Sequence, residues 1–128
     1  MLSPKFIIIC LLVICLGCHS ANQTWQPTTI AVASSTDIGE VSLGMTHELR
    51  LLIVNTGQNP MKIADIMVPC SCTNPIWDKK AVDPQKKTEV LIEYTPGDVG
   101  TFEEEIMLTG NFEPTYVKVT GNVRLLSF

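Results

Sequence analysis

The chain has 128 residues, enough for one domain with a proper core and too few for two domains of ordinary size. Nine basic residues oppose 13 acidic ones, giving a net charge of −4, and no long basic stripe occurs, which argues against a nucleic-acid partner. The chain carries no glycine-rich phosphate loop, HExxH helix, nucleophile elbow or EF-hand string, so the sequence points to no enzyme and asks for no cofactor.

In chain order, the first signal is for export. Met1 to Lys5 is short and weakly positive, and Phe6 to Leu16 is an unbroken apolar run. That run falls short of the roughly 20 residues a membrane helix needs, but it suits the central region of a signal peptide. Gly17 followed by Cys18 resembles the lipobox of bacterial lipoproteins, in which the cysteine is lipidated and becomes the first residue after cleavage. Position 15, usually Leu in that motif, is Cys here; Cys15 itself is preceded by bulky Ile14 and fits less well. The expectation is therefore a signal peptide over 1–17, a lipid anchor at Cys18 and a polar tether over 18–28. The competing reading is an ordinary secretory cut nearby. Within the tether, Trp25 is the one large apolar residue, suited either to packing on the domain or to a lipid interface. Asn22-Gln23-Thr24 matches a glycosylation sequon, a triplet common by chance.

From 29 to 128 the signals are those of strands. Runs rich in β-branched residues lie at Thr29–Ala33, Thr46–Asn55, Met61–Val68, Thr88–Tyr94, Thr101–Leu108 and Tyr116–Val123, separated by turn residues such as Asn59-Pro60, Pro84-Gln85 and Pro96-Gly97. Alternation assigns faces: Phe102, Ile106 and Leu108 oppose Glu103, Glu105 and Met107, and Val90, Ile92 and Tyr94 oppose Glu89 and Glu93. Val117, Val119, Gly121 and Val123 share a face in the same way. No helical period is evident. Half-buried strands at this spacing predict an all-β, immunoglobulin-like antiparallel β-sandwich of about seven strands. The apolar tail Leu125-Leu126-Ser127-Phe128 is expected to extend the last strand, dock on the rim or meet a partner.

Three of the five cysteines fall in the first 18 residues; the other two, Cys70 and Cys72, sit in Val68-Pro-Cys-Ser-Cys-Thr73. On a regular strand their Cα atoms would lie roughly 6.6 to 7 Å apart, and a disulfide prefers about 5.5 to 6 Å, so a bridge requires a local kink. Three readings stay open. The pair packs or forms a structural disulfide; it binds copper or zinc together with His47, Met61 or Met67; or it performs thiol redox chemistry, for which a lowered thiol pKa is needed.

The strings Asp37-Ile38-Gly39-Glu40-Val41, Asn55-Thr56-Gly57, Pro60-Met61-Lys62-Ile63, Cys70-Ser71-Cys72-Thr73, Asp83-Pro84, Tyr94-Thr95-Pro96, Gly100-Thr101-Phe102 and Val117 to Val123 together resemble the bacterial domain-of-unknown-function family 1573 (DUF1573). The resemblance spans about residues 37 to 124. It implies an Ig-like domain of the kind found in ciliary, centrosomal and major sperm proteins, used for binding and scaffolding, with no established biochemistry. The family usually has Cys-Gly-Cys where Ser71 stands, and Pro-Gly where Pro84-Gln85 stands. The resulting expectation is a non-catalytic Ig-like binding or structural module of a cell-envelope lipoprotein. It would be held to the membrane by its N-terminal lipid, face the periplasm and meet a protein partner. A thiol-redox or copper-handling protein using the Cys-Ser-Cys pair is the alternative.

Overall fold

A computed structural model describes residues 24–127; the predicted signal peptide, Cys18 and the end of the tail at Phe128 lie outside the described residues. Eight strands form two four-stranded sheets and, among the described residues, no helix. Sheet A has the order β1 (Ile30–Ala31), β3 (His47–Asn55), β6 (Lys87–Tyr94), β5 (Thr73–Trp77); sheet B has the order β2 (Ser35–Ser42), β8 (Thr115–Arg124), β7 (Gly100–Gly110), β4 (Ile63–Met67). Leu51, Ile53, Val90 and Ile92 from sheet A meet Ile63, Ile66, Ile106, Leu108, Val117 and Val119 from sheet B in one buried cluster. The alternation in the sequence is thus the alternation of inner and outer faces, and each such side chain removed from water contributes about 1.5–3 kcal/mol before entropy is counted. The result is an Ig-like β-sandwich.

Its strands are not all antiparallel, which corrects the sequence expectation: β2 runs parallel to β8. A crossing from sheet A to sheet B over residues 32–34, not a hairpin, joins β1 to β2, so turn geometry does not dictate an antiparallel pairing. Strand β2 also carries a register shift between Asp37 and Glu40, where Gly39 adopts φ +73° and its N–H donates to Asp37 Oδ1 at 2.8 Å. The bulge turns both Ile38 and Val41 toward the apolar interior, although they are three residues apart.

Asn55 closes the far end of β3. Wholly buried, it uses all four of its side-chain hydrogen-bond positions: Nδ2 donates to the carbonyls of Asn59 (2.8 Å) and Val82 (2.9 Å), and Oδ1 accepts from the Thr28 hydroxyl (2.8 Å) and the Gly57 N–H (3.1 Å). The segment just before β1 is tied down here too. Thr28 is buried, the Asn59 side chain donates to the Pro27 carbonyl, the Asn111 side chain donates to that of Gln26, and Lys62 Nζ lies 5.0 Å from the Trp25 ring centre. Residues 25–28, placed in the tether by sequence, are therefore packed on the sandwich, and Trp25 rests on the domain. At the other terminus, β8 stops at Arg124; Leu125 and Leu126 follow it without joining a strand and are exposed.

Candidate functional site

The connection from β4 in sheet B to β5 in sheet A passes through Val68-Pro69-Cys70-Ser71-Cys72 and forms a tight turn, closed by the Thr73 N–H donating to the Cys70 carbonyl at 3.3 Å. The turn brings the Cα atoms of Cys70 and Cys72 to 5.2 Å, against the longer span of a regular strand, and the two sulfurs are joined as a disulfide. Ser71 is exposed and is not among the described residues with positive φ, so the turn does not require the glycine usual in Cys-Gly-Cys. The Cys72 carbonyl accepts from Thr95 N–H at 2.9 Å, which pins the turn to the end of β6.

A carboxylate faces the disulfide. Glu104 lies on β7 between Phe102 and Ile106, with the parity of the buried face, and its side chain is half-buried. Its Oε2 accepts from the Thr73 hydroxyl at 3.1 Å, a bond that links the two sheets, and its Oε1 lies 3.6 Å from Cys70 Sγ and 3.8 Å from Cys72 Sγ. The Thr73 hydroxyl is itself 3.6 Å from each sulfur. In the disulfide neither sulfur carries a proton, so these are contacts; as thiols both would have the carboxylate within reach as an acceptor. One ligand atom each from Cys70, Cys72 and Glu104 lies within 4.8 Å of the others. Among the described residues, no lysine or arginine forms an ion pair with Glu104.

His47 does not join this set. It sits on the same cross-strand row as Tyr94 and Thr73, but Tyr94 lies between, so His47 is two strand spacings, about 9.6 Å, from the strand that carries Thr73. Its Nε2 accepts from the Ser42 N–H at 2.9 Å. Met61 is fully buried in the core, and Met67 points out from sheet B, 53% exposed. Behind Glu104 is a cavity of about 10 Å³ lined by His47, Thr73, Tyr94 and apolar side chains, room for one water at most. Burial pushes the Tyr94 phenol above its ordinary value of 10.0, and the carboxylates of Glu104 and Asp98 raise it further. The Tyr94 and Phe102 rings pack at 4.7 Å between centres beside the site. Sequence reasoning missed Glu104 because the run Glu103 to Glu105 reads as a solvated patch; the parity of β7 was the available signal.

A second surface lies on the outer face of sheet B. The register aligns Met67 of β4, the edge strand, with Met107 of β7 and Tyr116 of β8 in one apolar row, in which Met67 and Tyr116 are 53% and 52% exposed.

The family model described as a protein of unknown function, DUF1573, matches residues 22–123. The chain belongs to this family. No curated protein matches it. Among solved structures, this DUF1573 chain is similar to a protein of unknown function from Porphyromonas gingivalis W83, with a TM-score of 0.67 and 17% identity. That match covers 80% of this chain but only 50% of the other, so the chain spans half the length of that protein. It is also similar to the ASH / PapD-like domain 7 of human CEP192, with a TM-score of 0.63 and 11% identity, over 88% of this chain and 97% of that domain. A third likeness, to the Vibrio cholerae VesB protease, has a TM-score of 0.62 and 9% identity and covers 73% of this chain and 31% of the protease. At these identities the likeness is one of fold. The DUF1573 domain thus has the Ig-like β-sandwich architecture expected from its strand pattern.

Proposed function

We propose that this DUF1573 chain is a non-catalytic binding module of a bacterial cell-envelope lipoprotein, anchored by acyl chains on Cys18, facing the periplasm and docking a protein partner. The observation that carries the reading is the Met67–Met107–Tyr116 row, which ends on β4, the edge strand of sheet B. Methionine and tyrosine supply adaptable apolar contact area, and an edge strand supplies unpaired backbone groups that an extended segment of a partner can pair with. Such a surface holds a partner by strand addition, with the row receiving its alternate side chains. The lipid restricts the search to the membrane surface; two or more acyl chains give stable anchoring where one is marginal.

The test is site-specific photo-cross-linking in intact cells, with the photoreactive residue at position 116 or, as a control on the opposite face, at position 52, where Leu52 is 50% exposed. The expected result is a discrete adduct from position 116 that Met67→Glu abolishes, with none from position 52. Equal labelling from both faces, or none from position 116, overturns the docking role. Cys18→Ala is expected to move the protein from the membrane to the soluble fraction.

A further inference from the structure

The carboxylate aimed at the disulfide is the feature that the binding role leaves unexplained. An acidic side chain on the inner face of a sheet, partly desolvated and without a cationic neighbour, costs free energy unless something else uses it. We propose that reduction of the Cys70–Cys72 disulfide opens a zinc(II) site whose protein ligands are the two thiolates and Glu104, with Thr73 as the residue that positions the carboxylate. The inference stands independently of the docking surface on sheet B.

The distances carry it. Zinc binds sulfur at about 2.3 Å and carboxylate oxygen at about 2.0–2.2 Å, so tetrahedral geometry separates a sulfur and an oxygen ligand by roughly 3.6 Å. The two sulfur-to-Oε1 separations are 3.6 and 3.8 Å. Two of the three ligand-to-ligand edges of a zinc site are therefore already at length. The third, between the sulfurs, is closed by the covalent bond and is released by its reduction. The Thr73 hydroxyl holds Oε2, which leaves Oε1 turned to the sulfurs, as outer-shell donors commonly orient zinc ligands. The half-buried position leaves access for the ion and for a water as fourth ligand. The carboxylate also selects among metals: hard oxygen beside two sulfurs suits zinc better than Cu(I), which prefers soft donors throughout.

The chemistry balances in two steps. A dithiol reductant gives two electrons and two protons to the disulfide, yielding two thiols and becoming a disulfide itself. Zinc then displaces the two thiol protons, and the two thiolates with the Glu104 carboxylate carry three negative charges against its two positive ones.

The test uses the full chain, reduced or oxidised, titrated with zinc sulfate against a chromophoric chelator. The Cys70→Ser/Cys72→Ser variant supplies the background from zinc bound elsewhere on the chain. One zinc per chain above background is expected for the reduced protein and none for the oxidised one. Glu104→Gln is expected to weaken binding by at least about tenfold, and Thr73→Val by less. Cobalt(II) substitution of the unmutated reduced chain reports independently of any folding defect in the variants: tetrahedral S₂O₂ ligation gives sulfur-to-cobalt charge transfer and intense visible bands. No binding by the reduced chain, equal binding by the oxidised chain, zinc affinity indifferent to Glu104→Gln, or a six-coordinate cobalt spectrum would each overturn the assignment. Binding of Cu(I) that ignores Glu104 while zinc fails to bind would overturn it in favour of a sulfur-only copper site.

Discussion

Asn55→Ala is expected to be among the most damaging single substitutions in the domain. The side chain makes four hydrogen bonds from a position with no solvent exposure, joining the segment before β1, the turn after β3 and the loop before β6. Truncation leaves the Thr28 hydroxyl, the Gly57 N–H and the Asn59 carbonyl without that partner, whereas the Val82 carbonyl keeps the Met61 N–H at 2.8 Å. At about 1 kcal/mol net per neutral bond, and more for a group left buried and unpaired, the loss is about 3–4 kcal/mol. That is a large share of the roughly 5–15 kcal/mol typical of a domain, and corresponds to a fall in Tm of roughly 15 °C. Urea unfolding followed by Trp fluorescence measures it directly, with an unchanged m-value showing that the native state remains compact. Asn74→Ala, which removes only an exposed bond to Glu93, is the control and is expected to change stability by less than about 0.5 kcal/mol. A loss under about 1 kcal/mol for Asn55→Ala would refute the view that this hub holds the N-terminal segment on the sandwich.

Three further outcomes follow from single residues. Gln85, with φ of 65°, occupies the left-handed region without being glycine, so Gln85→Gly is expected to raise stability by about 0.5–1 kcal/mol in urea unfolding; a loss of that size would show its side chain matters more than its backbone. Because Tyr94 is held above its ordinary value of 10.0, the native state keeps a proton that the unfolded chain gives up; its contribution is complete below pH 10.0 and lost as pH rises through the native value. Tyrosinate absorbance, assigned with Tyr94→Phe, should show the transition move down in Glu104→Gln, and an unmoved transition would contradict the coupling. The Cys70–Cys72 bridge closes so short a loop that unfolding of the reduced, metal-free protein should be easier by only about 1–2 kcal/mol, whereas loss of the folded state on reduction would make the bridge a structural necessity.

Six of the eight strands were legible in the sequence, and the inner faces that alternation assigned in β6, β7 and β8 match the core, from Val90 and Ile92 to Val117 and Val119. Strands β2 and β5 were not. In β2 the Gly39 bulge breaks the period of two, so Ile38 and Val41 read as unrelated, and in β5 the central Asn74-Pro75 reads as a turn although proline is tolerated on an edge strand. The pairing of β2 with β8 depends on a crossing between sheets that local pattern does not encode. At the site, the cysteines announced themselves, and the need for a kink between them was evident from distance alone. Their neighbour was concealed: His47 stood out as the domain's lone histidine, while Glu104 was hidden in a run of three glutamates of which it alone has inward parity.

The intact mass of the protein purified from its native membrane, with and without reduction and alkylation, decides whether the module is lipid-anchored in the envelope. The expected result is a chain beginning at an acylated Cys18, with Cys70 and Cys72 taking up alkylating agent only after reduction. An unmodified N-terminus at another residue would contradict the anchor, and free thiols at Cys70 and Cys72 without reduction would contradict the bridge.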